Sequence, residues 1–170
     1  MKNNKYRVEK DSMGSMKVPA DALYGAQTQR AVENFPISGT TFFVEFINAI
    51  IIIKRSAAIV NCKLGLIDKN ICDAIINASD KLLKKSDQEY FPIDVFQTGS
   101  GTSTNMNVNE VISCLATSKN NKIHPNDHVN MGQSSNDTIP TAINISLALM
   151  ISEKLLPNLN SLIKSLQNKE

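Results

Sequence analysis

Between Gln97 and Asn107 the chain reads Gln-Thr-Gly-Ser-Gly-Thr-Ser-Thr-Asn-Met-Asn, a run of glycines, hydroxyls and amides without a single charge. An apolar pattern at helical spacing follows at once: Met106, Val108, Val111, Ile112 and Leu115. A loop that opens a helix in this way offers unpaired backbone N–H groups, hydroxyl donors and the positive end of the helix dipole. Ser100, Gly101 and Thr102 stand at its centre, and a carboxylate or a phosphate is the ligand that suits them. A second cluster of the same design, Gln133-Ser134-Ser135-Asn136-Asp137-Thr138, leads into another helical pattern. Convergence of Ser134, Ser135 and Asn136 with the first loop would give a dianion several charge-assisted hydrogen bonds without a cationic side chain. Between the two lies His124-Pro125-Asn126-Asp127-His128. Each cluster alone also reads as a flexible linker with an ordinary Ser/Thr cap, and His124 as a turn histidine bonded to its own loop.

The elements that must position these residues are mostly helices. Residues 1–40 carry Gly14, Pro19, Gly25, Pro36 and Gly39 and no sustained period, which predicts extended segments and turns around one short helix near 21–34. From Thr41 onward Phe43, Phe46, Ile47, Ile50, Ile51, Ala57 and Ala58 recur at helical spacing, and Gly65 closes that run. Asp68 is the expected N-cap of a second helix with Ile71, Ala74, Ile75, Ala78 and Leu82 on one face and Lys81, Lys84 and Lys85 near its C-terminal end. A helix over about 104–117 follows the first loop. The last segment, Thr141 to about Gln167, is helical and apolar on nearly every side, with Pro140 placed for a first turn and Pro157 expected to kink it. A helix of that kind needs surrounding surface that the rest of the chain does not supply.

Composition narrows the classes. With 42% hydrophobic and 20% charged residues the chain is an ordinary globular one, and a net charge of +2 without a basic face gives no support to nucleic acid binding. The longest apolar stretch, Phe42 to Ile53, is too short for a bilayer and is broken by Glu45 and Asn48, so no membrane is expected. Cys62, Cys72 and Cys114 follow no metal-ligand spacing and read as small core residues in a reducing compartment. The polar start Met1 to Arg7 lacks the apolar centre of a signal peptide, and a cytoplasmic location is the expectation.

Three long motifs carry a resemblance. Gln97 to Glu110 resembles the first signature region of the class II fumarase and aspartase superfamily, Val18 to Arg30 resembles its N-terminal region, and His124 to Asn130 with Gln133 to Asp137 resembles its next conserved block. Gly99-Ser100-Gly101-Thr102, the histidine heading the Pro-Asn-Asp motif and the Ser134-Ser135 pair resemble the fumarase branch. His128 and the run Thr102-Ser103-Thr104 are less typical of it, so aspartate ammonia-lyase is the alternative.

The resemblance implies a mainly α fold: an α-rich N-terminal domain over residues 1–136, then the first long helix of a central helical bundle over 137–170. It implies reversible hydration of fumarate to L-malate in the tricarboxylic acid cycle, no metal and no redox cofactor, and a homotetramer whose sites combine several subunits. It assigns Ser100, Gly101, Thr102, Ser134, Ser135 and Asn136 to substrate binding, with the Ser134 segment supplied by a neighbouring subunit. His124, Pro125, Asn126 and Asp127 fall in a secondary dicarboxylate site near the entrance. The resemblance places the catalytic histidine and serine beyond Glu170, in Thr-His and Gly-Ser-Ser motifs that do not occur within residues 1–170. Neither His124 nor His128 matches the catalytic position, so the 170-residue piece is expected to be inactive alone. An assembly module without catalysis is the reading from another class.

Overall fold

The computed structural model describes residues 6–85 and 87–169. Glu170, beyond which the catalytic histidine and serine are expected, lies outside the described residues, as do the first five residues of the polar start. Strands β1 (Tyr6–Asp11) and β2 (Gly14–Pro19) form an antiparallel hairpin with Tyr6 opposite Pro19 and Asp11 opposite Gly14. Six helices follow: α1 (Ala26–Asn34), α2 (Val44–Lys63), α3 (Lys69–Lys84), α4 (Thr102–Ala116), α5 (Ser135–Met150) and α6 (Leu156–Gln167). The mainly α expectation holds.

The hairpin is tied to the helices by side chains rather than by a sheet. Arg7 donates to the carbonyls of Pro19, Ala22 and Tyr24 at 2.8, 2.7 and 2.7 Å, which fixes the chain leading into α1. That helix has no capping side chain of its own. Its orphan N–H groups are met by the buried Glu110 carboxylate on α4, which accepts from Gly25, Gln27 and Thr28 at 2.9, 3.1 and 3.1 Å.

α2 ends where Gly65 adopts a left-handed conformation (φ 71°), with Gly65 N–H on the Cys62 carbonyl and Leu66 N–H on that of Asn61. This is the Schellman termination that a C-terminal glycine makes available. α3 starts after Asp68 as expected, although the Asp68 side chain makes no capping bond. Ile50 and Ile51 of α2, Ile75 of α3 and Val108, Val111 and Ile112 of α4 are wholly buried. Each contributes roughly 2–3 kcal/mol by leaving water. An exposed pair such as Lys69–Asp73 gives at most about 0.5 kcal/mol. Packing of α2, α3 and α4 therefore decides the fold.

The segment that delivers the first glycine-rich loop is anchored by Asp94. Its carboxylate accepts from the N–H groups of Ser38 (2.7 Å), Gly39 (2.8 Å) and Phe96 (2.8 Å) and from the Ser38 hydroxyl (2.9 Å). The Phe96 amide foremost, opposed by burial and aided by the Ser38 and Gly39 donors, holds the Asp94 carboxyl down at about 2.

The last helices depart from the sequence expectation. α5 begins at Ser135 rather than Thr141, because Ser134 caps it by accepting the Asn136 N–H at 3.2 Å. Pro140 therefore lies inside the helix rather than in its first turn. Beyond Met150 a π-type turn, Ile151–Leu155, joins α5 to α6, and Leu156 N–H bonds to the Ile151 carbonyl. Pro157 has no N–H to offer the Glu153 carbonyl, and the wider turn absorbs that loss. The result is one rod, Ser135–Gln167, of 33 residues, containing an 18-residue stretch of mean hydropathy 1.3, long and apolar enough to cross a membrane by length and composition. It outruns the Phe42 to Ile53 stretch singled out from sequence. Ala142 and Ser146 are buried in its first half, which packs on α2, and Lys154 pairs with Glu45. Leu155, Leu156, Leu159, Leu162, Ile163 and Leu166 are exposed.

α4 and α5 meet at their N-termini. Gly101, the N-cap of α4, has φ 73°, and a Cβ placed there would lie 2.9 Å from Ile139 Cδ1. Replacing Gly101 with alanine is thus strained twice, by the backbone and by Ile139, and Gly101→Ala is expected to destabilise the chain by about 1–3 kcal/mol in urea unfolding. The Asp94 anchor has a pH signature. Its folded pKa lies below the ordinary 3.8, so its stabilisation is complete above about pH 4 and disappears as the pH falls toward 2. Asp94→Asn should lower the melting temperature at pH 7, and the gap from wild type should narrow below about pH 4 and close as the pH falls through 2. An equal gap at both pH values would contradict this assignment.

Candidate functional site

Capping in α4 is unusual and sets up the site. Its N-cap is a glycine, so no side chain at that position closes the helix end. Gln97 does so from outside: its Oε1 accepts the Thr104 N–H at 2.8 Å, and its Nε2 donates to the Thr104 hydroxyl at 2.8 Å and the Asp94 carbonyl at 2.9 Å. The hydroxyls of the loop are therefore not consumed as caps. Thr98 and Ser103 pair with each other at 3.2 Å. The Thr102 and Ser103 N–H groups have no acceptor among the described residues. This separates the first cluster from an ordinary Ser/Thr cap. The second cluster divides: Ser134 is an ordinary N-cap, while Ser135 is not used that way.

Thr102 Oγ1 and Ser135 Oγ lie 3.0 Å apart. That contact brings Ser100, Gly101 and Thr102 together with Ser134, Ser135 and Asn136 in one chain, at two helix N-termini. The expectation that a neighbouring subunit brings the Ser134 segment to the first loop is corrected, because α5 of the same chain delivers it. Ser100, Thr102, Ser134 and Asn136 are exposed, and Ser135 and Gly101 are half-buried. No cationic side chain belongs to either segment. Such a lip presents hydroxyls, amides and free N–H groups to an anion.

A buried lysine lies behind it. Lys54 of α2 is wholly buried and donates to Asn105 Oδ1 at 2.7 Å and Asn130 Oδ1 at 2.8 Å. Burial lowers its pKa from 10.5 to about 7. Sequence reading passes over Lys54. Its signal is there all the same: it occupies the stripe Ile47, Ile50, Ile51, Ala58 at helical spacing, where a charge is out of place unless it has partners. Gln97 and Glu110 likewise stand inside the first motif without a role that spacing assigns them.

His124 is bonded to its own loop, as its local reading has it. Its Nδ1 accepts the Asp127 N–H at 3.1 Å at the head of the π-type turn Pro125–Val129, and Asp127 Oδ2 lies 3.1 Å from the same nitrogen. The His124 N–H in turn donates to His128 Nδ1 at 2.9 Å. His124, Pro125 and Asn126 line a cleft of about 660 Å³ with Arg7, Lys10 and Lys122. Asp127 lines a different, smaller cleft beside His128, Asp68 and Met131. The four residues assigned to a secondary site thus sit on one turn but open onto two clefts, and none of the Ser100 to Thr102 or Ser134 to Asn136 residues lines either. Arg30 pairs with Asp11 at 2.8 Å and is taken up within the N-terminal part. Among the described residues no group of three or more His, Cys, Asp or Glu side chains is placed to hold a metal ion.

Comparison with known proteins gives this geometry a lineage. A family model described as lyase matches residues 14–170. Fumarate hydratase class II 2 of Pseudomonas aeruginosa is 53% identical over 164 residues, spanning 96% of this chain and 36% of that protein. Fumarate hydratase class II of Halobacterium salinarum is 49% identical over 170 residues, with 96% and 36% covered. The crystal structure of class II fumarase from Schistosoma mansoni superposes with a TM-score of 0.91 at 43% identity over 97% of this chain and 36% of that one. A fumarate lyase:delta crystallin from Brucella melitensis gives 0.80 at 40% identity over 87% and 36%. The chain spans about 36% of the length of the curated relatives. A lyase match running from Gly14 to Glu170 means that the chain belongs to the lyase family, and its backbone is similar to that of a solved class II fumarase over 97% of its length.

Proposed function

We propose that the chain provides one part of a class II fumarate hydratase, an enzyme of the tricarboxylic acid cycle that adds water reversibly to fumarate to give L-malate. The observation that carries this reading is the 3.0 Å contact between Thr102 and Ser135, which joins two helix N-termini at one anion-accepting lip. Ser100, Gly101 and Thr102 hold one part of the substrate, and Ser134, Ser135 and Asn136 another. The chemistry withdraws a proton beside a carboxylate and must stabilise an enolate-like dianion. Neutral donors and helix ends fixed in advance suit that charge, since they strengthen as it develops without trapping the substrate. His124, Pro125 and Asn126, on the cleft with Arg7, Lys10 and Lys122, and Asp127 behind them make up a secondary dicarboxylate site.

The groups that move the proton lie outside residues 1–170, in the Thr-His and Gly-Ser-Ser motifs of the family. No metal or redox cofactor takes part, and the location is cytoplasmic. The bare apolar stripe from Leu155 to Leu166 favours assembly into a homotetramer over a membrane span, because Asn158, Asn160, Ser161, Lys164 and Ser165 interrupt it. Aspartate ammonia-lyase is the alternative, and the relatives described above are fumarate hydratases.

The test uses the 170-residue polypeptide. Purified and mass-verified, it is expected to turn over neither fumarate nor L-malate, while fumarate protects the amides of Thr102 to Asn105 and Ser135 to Thr138 in NMR titration. Turnover by this polypeptide would overturn the division of labour, and protection confined to other residues would overturn the assignment of the lip. Sedimentation is expected to show self-association, and a clean monomer would count against the assembly role of the rod.

A further inference from the structure

α2 buries a cation that the proposed chemistry leaves without a task. Among the described residues the Lys54 ammonium meets no carboxylate. Its partners are Asn105 Oδ1 at 2.7 Å and Asn130 Oδ1 at 2.8 Å. Those two amides are joined to each other, Asn105 Nδ2 donating to Asn130 Oδ1 at 3.2 Å. Asn130 Nδ2 continues to the Gln133 carbonyl at 3.2 Å, and Gln133 Nε2 returns to the Val129 carbonyl at 2.9 Å. An unbroken set of hydrogen bonds thus runs from α2 to the residue before Ser134. Its other branch reaches Asn105, one helical turn beyond Thr102.

An ammonium in this place is costly, because only neutral oxygens replace the water it loses. That cost shows as a pKa lowered to about 7. A methionine would fill the same space without it. What methionine cannot do is donate to two amide oxygens at once and hold two segments at a fixed separation. Gly101 against Ile139 sets how closely the two helix ends approach, but an apolar contact does not fix their rotation. Directional bonds to a residue of each segment do.

We propose that Lys54 is a positioning residue, whose bonds to Asn105 and Asn130 hold Thr102 of α4 against Ser135 of α5 and so set the geometry of the dicarboxylate lip. This rests on the reading of that lip as a fumarate-binding wall.

Lys54→Met keeps the length and volume of the side chain and removes its donors. Without ligand, amide hydrogen exchange at Asn105, Met106 and Ser134 to Thr138 should rise about tenfold, while α3, which Lys54 does not hydrogen-bond, stays within about twofold of wild type. Fumarate affinity should fall by about tenfold or more in the same variant. Unchanged exchange at both helix ends overturns the proposal. So does uniform acceleration that includes α3 with the affinity of the folded fraction unchanged, since that marks a lysine serving stability alone. Should Lys54→Met fail to fold, Asn130→Ala removes one acceptor from a half-buried turn residue. The exchange at Ser134 to Thr138 must then rise, and failure to do so overturns the proposal equally. Absence of fumarate binding by the wild-type chain would count against the functional reading only, because the exchange comparison is made without ligand and still decides what Lys54 does.

Discussion

The N-termini of α4 and α5 each carry a partial charge of about +0.5 elementary charge, and the chain brings them together at Thr102 and Ser135. Like-signed helix ends do not meet by attraction, so the surrounding structure has to force the meeting. Most of the unusual residues in the chain serve that constraint. Gly101 gives up its Cβ to let Ile139 in. Gln97 caps α4 from outside the helix, so that no hydroxyl at the junction is consumed as its cap. Lys54 reaches from α2 to both segments. Glu110, further along α4, clamps that helix to the start of α1. A site assembled against its own electrostatics is stabilised by an anion, and the two helix ends supply the attraction without any formal charge in the lip.

Much of this is legible in the sequence, for reasons that are local. The helical spacing of Ile47, Ile50, Ile51 and Ala58 and the closing Gly65 define α2 because periodicity and a left-handed glycine act within a few residues. The two clusters of hydroxyls and amides are likewise visible as clusters. The start of α5 is not, because Pro140 invites a first-turn placement and the structure instead puts it inside the helix behind the Ser134 cap. The hairpin reads only as extended segments, since its register is set by pairing across Ser12 and Met13 and by Arg7 reaching carbonyls 12 to 17 residues away.

What the sequence does not display is partnership at long range. Lys54 and Asn105 are 51 residues apart, Lys54 and Asn130 76, and Glu110 and Gly25 85. A charge on an apolar helical face announces that it must have partners. It does not announce which, and spacing alone does not select two asparagines in separate motifs. The same limit applies to the second wall: the resemblance assigns Ser135 to another subunit, whereas α5 of the same chain carries it to Thr102.

The turn at His124 shows why motif identity and local geometry have to be weighed together. Its Nδ1 lies 3.1 Å from both the Asp127 amide nitrogen and Asp127 Oδ2, so the turn holds the ring through this nitrogen. That arrangement caps the turn, and a capping histidine is a complete structural account of the residue. Capping also holds the ring in place, however, and leaves its other nitrogen unspent beside a cleft that contains Arg7, Lys10 and Lys122. The contacts that fix the ring use Nδ1 alone, and they leave the residue lining the cleft. Finding the structural role therefore carries no weight against a ligand-facing one, just as the Ser134 cap spends one hydroxyl of its cluster and leaves Ser135 to face Thr102.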